Sequence, residues 1–155
     1  MGLKKGLIAF TLSFSAFTLT AQILHPARWS TSVSANQAKI GEELTLIFTA
    51  TIDKDWYMYS SEFTCEDGPI QTAFTFKANP SFTLLGKIEP VGEVDKHDDI
   101  FGCDLKIFKK TAEFRQKIKI LSANLKIEGE YEYQVCTDIT GKCIPFNEEF
   151  AFNNI

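Results

Sequence analysis

Hydrophobic and polar residues alternate with a period of two along much of this chain, and this pattern restricts its fold more than any other feature. In "LKIEGEYEYQV" (residues 125–135) the apolar side chains fall on one face and the charged or amide side chains on the other. The segments "ELTLIFTATID" (43–53) and "AEFRQKIKI" (112–120) alternate in the same way. Such alternation is typical of β-strands with one buried face.

Shorter segments rich in aromatic and β-branched residues complete the pattern. They are "WYMYSS" (56–61), "TAFTFKA" (72–78) and "FTLLGKI" (82–88), and Asp, Asn, Gly and Pro residues separate them. Such residues favour turns, and no helical periodicity follows the first 21 residues. We therefore predict one all-β domain over residues 22–155, an immunoglobulin-like antiparallel β-sandwich of seven or eight strands.

The first 21 residues have the pattern of a secretory signal peptide. Lys4 and Lys5 precede a short apolar run, "LIAFTLSFSAFTL", and small residues follow at Thr20 and Ala21. The run is shorter than the ~20 residues of a membrane span, although a membrane anchor is the alternative. The pattern predicts an exported protein.

Charge and cysteine content exclude several functional classes. The sequence has a net charge of −4 with no basic cluster, which argues against nucleic acid as a partner. Its four cysteines favour disulfides over metal in an oxidising compartment. None of their spacings is the C-x₂₋₄-C of structural zinc sites, so we expect neither a metal nor another cofactor.

Cys136 and Cys143 lie at the two ends of a predicted hairpin loop in "YQVCTDITGKCIPF" (133–146). There they could approach within disulfide distance. Loop entropy predicts that a bridge closing so short a loop stabilises by about 2.5 kcal/mol, against about 4 for a loop of about 39 residues. A weakly structural, exposed disulfide can exchange with other thiols, but many hairpin disulfides of secreted domains are inert. From the residues alone, both an exchanging disulfide and an inert structural disulfide remain open.

The same segment resembles the active-site hairpin of the N-terminal periplasmic domain of DsbD, the thiol:disulfide interchange protein. "IDKDWYMYS" resembles the family's segment from a strand end to an aromatic strand. "GPIQTAFTF" and "FTLLGKIEP", which follow in the family's order, resemble the variant found in its Bacteroidetes-type members. The resemblance covers roughly residues 27–152. It implies an immunoglobulin-like fold and a thiol–disulfide relay in which Cys143 forms mixed disulfides and Cys136 resolves them.

The resemblance also implies partners and a shielded site. A thioredoxin-like or membrane-embedded redox protein would supply electrons, and an oxidised periplasmic protein would accept them. Tyr57 and Tyr59 match tyrosines that flank the family's active site, and "DDIFGCDLKIF" (98–108) falls where the family has a cap loop over the cysteines. The aromatic cap position falls on Ile100, with Phe101 beside it, and Asp99 precedes them. We expect a monomer.

The chain departs from the family pattern at Cys65 and Cys103, where the resemblance implies no cysteine. Both are predicted to lie in loops near the hairpin, so our hypothesis is that they form a second disulfide that ties down the cap. The alternative is two unrelated, partly buried thiols. The loop "TDITGK" between Cys136 and Cys143 also looks longer than is usual in the family.

Several residues have simpler interpretations. His25 and His97, the latter in a predicted acidic loop, are expected to be solvated surface histidines. Asp98 and Asp99 are ordinary loop charges, or else carboxylates that raise the pKa of a nearby thiol. Tyr57 and Tyr59 are packed strand residues or pocket residues.

Two further functions remain as alternatives to a redox carrier. One is a secreted immunoglobulin-like binding or adhesion module with structural disulfides only. The other is a shielded domain that binds a redox partner without turnover. The reduction potential of the Cys136–Cys143 pair distinguishes them from a carrier, because structural disulfides lie below about −300 mV.

Overall fold

The computed structural model describes residues 24–35, 39–99 and 101–152. The predicted signal peptide (1–21) and Ile100 lie outside them. The described residues form β-strands and connections, with no helix long and apolar enough to cross a bilayer. The strands are β1 (Ala27–Val33), β2 (Glu43–Ile52), β3 (Tyr57–Tyr59), β4 (Ala73–Phe76), β5 (Phe82–Val91), β6 (Val94–Asp98), β7 (Cys103–Lys109), β8 (Thr111–Ile120), β9 (Ile127–Cys136) and β10 (Cys143–Phe152).

Two antiparallel sheets form a sandwich, which confirms the predicted fold class. One sheet has the strand order β1-β2-β8-β5, and the other has the order β10-β9-β3-β7-β6, with β4 also paired to β9. The alternation seen in the sequence becomes the in/out pattern of the strands. Every second residue of β2, from Leu44 to Ile52, is buried, and β8 follows the same rule with Gln116 as its buried polar member.

The space between the sheets is filled largely by aromatic side chains. Phe48 of β2 packs against Phe74, Phe150 and Phe152 of the facing sheet, with ring centroids 4.7 to 5.2 Å apart. Trp29 of β1 lies 4.5 Å from the ring of Tyr131. Aromatic pairs in tilted or edge-on contact add stability beyond the area that they bury, so this core fixes the sandwich independently of its disulfides.

Three details differ from the sequence-based prediction. The described residues contain ten strands rather than seven or eight. β1 was not among the predicted segments, and β6 replaces the predicted acidic loop around His97. β6 pairs with β7 from Val94↔Ile107 to Asp98↔Cys103. Apart from Val94, its residues are polar on both faces, so the strand has no alternation by which it could be recognised.

Candidate functional site

Cys136 and Cys143 occupy the last position of β9 and the first position of β10. They are direct partners in the antiparallel register, which continues to Ile127↔Phe152, and their Cα atoms are 4.1 Å apart. The two sulfur atoms form a disulfide. The bond therefore lies at the loop end of a hairpin whose strands are paired over ten positions.

The two cysteines differ in exposure. Cys136 is 1% exposed, whereas Cys143 is exposed to solvent. The side-chain amide of Gln134 donates from Nε2 to the Cys136 sulfur across 3.7 Å, and its Oε1 accepts the Ile70 N–H at 2.9 Å. A partner thiol can reach Cys143 directly, while Cys136 can be reached only through the disulfide or after movement of its cover.

The loop between the cysteines is closed by its own hydrogen bonds. The Thr137 N–H donates to the Lys142 carbonyl at 3.0 Å, and the Gly141 N–H donates to the Thr137 carbonyl at 3.0 Å. Gly141 has φ +66°, a left-handed conformation that glycine adopts without strain. This turn fixes the start of β10, and with it the position of Cys143. Ile139 at its tip is 72% exposed.

Cys136 belongs to a small apolar cluster on the outer face of the six-stranded sheet. The buried members of this outer cluster are Tyr57, Tyr59, Leu105, Ile107 and Cys136, and Phe63, Cys65 and Cys103 pack at its edge. Their strand neighbours Met58, Phe108 and Val135 belong to the main core between the sheets. Since successive strand residues point to opposite faces, the outer cluster lies on the far side of this sheet.

The tyrosines Tyr57 and Tyr59 are therefore packed beside the disulfide. Tyr57 is the register partner of Cys136, and the two hydroxyl oxygens are 3.5 Å apart. Burial, together with the hydrogen bond to Tyr57, raises the pKa of Tyr59 above its usual range. The Tyr59 hydroxyl is thus kept in its protonated form beside the disulfide.

A cavity of about 330 Å³ lies between the outer cluster, the β6–β7 turn and the cysteine loop. Cys143 and Asp138 line it from the hairpin, Tyr57 and Tyr59 line it from β3, and Phe101 lines it from the turn. Lys96, His97, Asp98, Asp99, Thr137 and Gly141 complete the wall. Five of the predicted site residues, Cys143 included, thus meet in this cavity wall, whereas Cys136, Cys65 and Cys103 are not part of it.

The β6–β7 turn is held mainly by Asp98. The Gly102 N–H donates to the Asp98 carbonyl at 2.8 Å, and the Phe101 N–H donates to the Asp98 carboxylate at 3.3 Å. Asp98 is 5% exposed, the side chain of Asp99 is 99% exposed, and Phe101 is 40% exposed. Phe101 thus presents an aromatic ring both to solvent and to the cavity.

The other two cysteines also form a disulfide. Cys65 lies in the irregular segment between β3 and β4, and Cys103 is the first residue of β7; their Cα atoms are 6.0 Å apart. Gly68 packs so tightly on Cys65 that a Cβ there would lie 2.9 Å from the sulfur. The bond joins the segment between β3 and β4 to β7, the strand that follows the β6–β7 turn.

Each of the two histidines pairs with a carboxylate. His25 Nε2 is 3.2 Å from the Glu148 carboxylate, and the His25 ring packs on Phe146. His97 lies in β6 and makes a 2.7 Å hydrogen bond to Asp104, which raises the pKa of His97. Within the described residues, no three His, Cys, Asp or Glu side chains are grouped to hold a metal.

Sequence reasoning did not identify three polar residues of the site: Lys96, Gln134 and Asp138. Lys96 Nζ is 3.5 Å from Asp138 Oδ1, although the two residues are far apart in sequence. Only the position of β6 at the sheet edge brings them together, and no local pattern indicates it. Gln134 is one of several polar residues that alternate along β9, so the sequence does not single it out.

The family profile "Thiol:disulfide interchange protein DsbD, N-terminal" matches residues 21–154. No curated protein sequence matches the chain.

Solved structures with a similar fold have low sequence identity to this chain. The reduced DsbD N-terminal domain of Neisseria meningitidis is 18% identical, with 72% of this chain and 77% of that chain covered and a TM-score of 0.50. The N-terminal periplasmic domain of ScsB from Proteus mirabilis is 10% identical, with 83% and 46% covered and a TM-score of 0.58. At these identities the structures establish a shared fold.

Proposed function

Because this chain belongs to the family of N-terminal domains of the thiol:disulfide interchange protein DsbD, we propose that it exchanges dithiol and disulfide with partner proteins through Cys136 and Cys143. The observation that carries this proposal is the unequal exposure of the two sulfurs. Cys143 is exposed beside a cavity, and Cys136 is buried directly behind it. One accessible sulfur and one protected neighbour are what a relay by mixed disulfide requires.

The exchange proceeds in two steps. In the reduced protein the Cys143 thiolate attacks a partner disulfide, forms a mixed disulfide and releases the partner's other sulfur as a thiolate. Cys136, once deprotonated, then attacks the Cys143 sulfur, which restores the Cys136–Cys143 bond and releases the partner's second thiolate. Two electrons pass to the partner, whose thiolates take up protons from water. The Gln134 amide, which donates to the Cys136 sulfur, favours its thiolate.

The family assignment supports a proposal for the electron donor and the electron acceptor. A thioredoxin-like or membrane-embedded redox protein in its dithiol form reduces the pair, and an oxidised periplasmic protein accepts the electrons. The domain works in the periplasm after export through the signal peptide at residues 1–21, and as a monomer. It needs no cofactor, since the electrons travel on the cysteines.

The β6–β7 turn acts as a cap over Cys143. Phe101 and Asp99 contribute to the cavity wall on the cap side, with Ile100 between them in sequence, and Tyr57 and Tyr59 support the opposite side. The Cys65–Cys103 bond holds the base of this cap, because Cys103 immediately follows the turn. Shielding of this kind limits exchange to partners that can enter the cavity.

One experiment tests these assignments. The mature protein is equilibrated in graded redox buffers and alkylated, and the modified peptides are quantified by mass spectrometry. We expect the Cys136–Cys143 pair to open at a potential well above the structural range, which lies below about −300 mV, while Cys65 and Cys103 stay oxidised. We also expect Cys136→Ser to trap partners through Cys143, with Cys143→Ser as the matched control.

The opposite results identify the alternatives. A pair that stays closed across the range, with no trapped partner, indicates a binding module with structural disulfides. A pair that opens but traps no partner indicates a shielded domain without turnover. Free thiols at Cys65 and Cys103 in the unreduced protein would refute the cap tether alone.

A further inference from the structure

Lys96 connects the cap strand to the loop that carries Cys143. It lies in β6, with its Nζ 3.5 Å from Asp138 Oδ1, 4.0 Å from Asp98 Oδ2 and 5.2 Å from the centroid of the Tyr57 ring. Its side chain is only 22% exposed. An ammonium held over an aromatic face and between two carboxylates is fixed in position rather than free to sample solvent.

The carboxylates around the cavity make the position of the Lys96 ammonium important for the charge balance near Cys143. From β6 and its turn, Lys96, His97, Asp98 and Asp99 line the cavity. The cysteine loop adds Asp138, and β3 adds the hydroxyls of Tyr57 and Tyr59. The three carboxylates disfavour a thiolate at Cys143, because like charges raise a thiol pKa.

Two other basic residues, His97 and Lys142, lie near this cavity but are held less closely. The His97 side chain is 61% exposed and is bonded to Asp104 on its far side. Lys142 precedes Cys143 in the chain but is exposed and is not part of the cavity wall. Among the described residues that line the cavity, Lys96 is the only lysine or arginine.

We propose that Lys96 is a positioning residue for thiol exchange: its ammonium holds the cysteine loop through Asp138 and offsets the carboxylates that face the Cys143 thiolate. The proposal rests on the proposed function, since it assigns a residue that supports Cys143 as the attacking sulfur. It also accounts for the low exposure of a lysine side chain in a cavity wall that carries three aspartates.

The test is the pH dependence of Cys143 alkylation. Cys136→Ser leaves Cys143 as the one thiol outside the Cys65–Cys103 bond, so the rate with iodoacetamide reports its thiolate fraction. Adding Lys96→Met should raise the apparent pKa of Cys143 by about half to one unit and slow alkylation about threefold to tenfold below that pKa. Lys96→Arg keeps the charge and should restore the parent profile.

Lys106 provides a matched control. It lies on β7, the strand paired with β6. Its Nζ is 3.2 Å from the Glu93 carboxylate and 3.5 Å from the Asp95 carboxylate, but Lys106 does not line the cavity. Lys106→Met should therefore leave the Cys143 profile unchanged. Should a serine at the buried position 136 prevent folding, Cys136→Ala supplies the same single-thiol background.

The outcomes separate this inference from the proposed function. If Lys96→Met and Lys106→Met give the same profile while Cys143 still traps partners, the role of Lys96 is wrong and the redox function stands. A change in the high-pH plateau without a shift in midpoint would mean that Lys96 affects access alone, which also overturns the proposal. If Cys143 forms no mixed disulfide in the parent, both fail together.

Discussion

The two disulfides should contribute unequally to the free energy of unfolding. Each contribution can be measured by reducing one disulfide in a variant that lacks the other. Cys65→Ala/Cys103→Ala leaves only the hairpin bond, and Cys136→Ala/Cys143→Ala leaves only the bond to β7. For each variant, the free energy of unfolding is compared between the oxidised form and the form reduced in situ. The difference is the contribution of the remaining disulfide.

The expected magnitudes follow from the loops that the bonds close. Cys65 and Cys103 are 38 residues apart, and Cys136 and Cys143 are 7 apart. Restriction of the unfolded chain predicts about 4 kcal/mol for the longer loop and about 2.5 kcal/mol for the shorter one. Reduction should therefore destabilise the protein that keeps Cys65–Cys103 by about 1.5 kcal/mol more than the other.

Urea unfolding followed by tryptophan fluorescence measures both values, with reductant added to one half of each sample. Wild-type protein, in which both bonds are reduced together, shows whether the contributions add. Equal losses, or a larger loss from the hairpin bond, would refute the argument that the hairpin disulfide can open at low cost to the fold.

Two further predictions concern packing and charge outside the cysteines. At Gly129 of β9, a Cβ would lie 2.5 Å from Phe150 Cζ and even closer to the Thr75 carbonyl oxygen, so Gly129→Ala should destabilise by about 3 kcal/mol in urea unfolding; a loss under about 1 kcal/mol would contradict this packing. The hydrogen bond that the His97 ring donates to the Asp104 carboxylate raises the pKa of His97. The pair's contribution to the free energy of unfolding should therefore be present below about pH 6.5 and lost as pH rises through the raised pKa. NMR titration should show a lower His97 pKa in Asp104→Asn, and an unchanged value would exclude Asp104 as the cause.

The sequence predicted the strands whose two faces differ. β2, β8 and β9 each bury one face in the sandwich core, so hydrophobic alternation is imposed on them and can be read directly. The sandwich follows because such strands must pair their apolar faces. β6 and β1 were missed because they are edge strands with largely exposed residues. Backbone hydrogen bonds define these strands, and such bonds impose no hydrophobic pattern on the side chains.

The candidate site was predictable only where it depends on neighbouring strands of one hairpin. The alternation on both sides of the "TDITGK" loop places Cys136 opposite Cys143, and the structure has them in register. The contact of Lys96 with Asp138 depends on the order of strands in the sheet and on a strand that was read as a loop. The unequal exposure of the cysteines depends on the outer cluster, which forms only when the segment between β3 and β4 folds over the sheet.

The position of each disulfide relative to the sheet accounts for its different proposed role. The hairpin bond joins strands whose backbones are already paired over ten positions, so opening it removes no secondary structure. Cys65, by contrast, lies in a segment without strand pairing, and its bond to Cys103 fixes that segment against the outer cluster. Phe63 of the same segment packs against Tyr59, with ring centroids 6.1 Å apart, so the Cys65–Cys103 bond ties this contact to β7. If the Cys136–Cys143 pair opens and closes as we propose, a Cys65–Cys103 bond that stays closed keeps Phe63 packed on the outer cluster throughout the cycle.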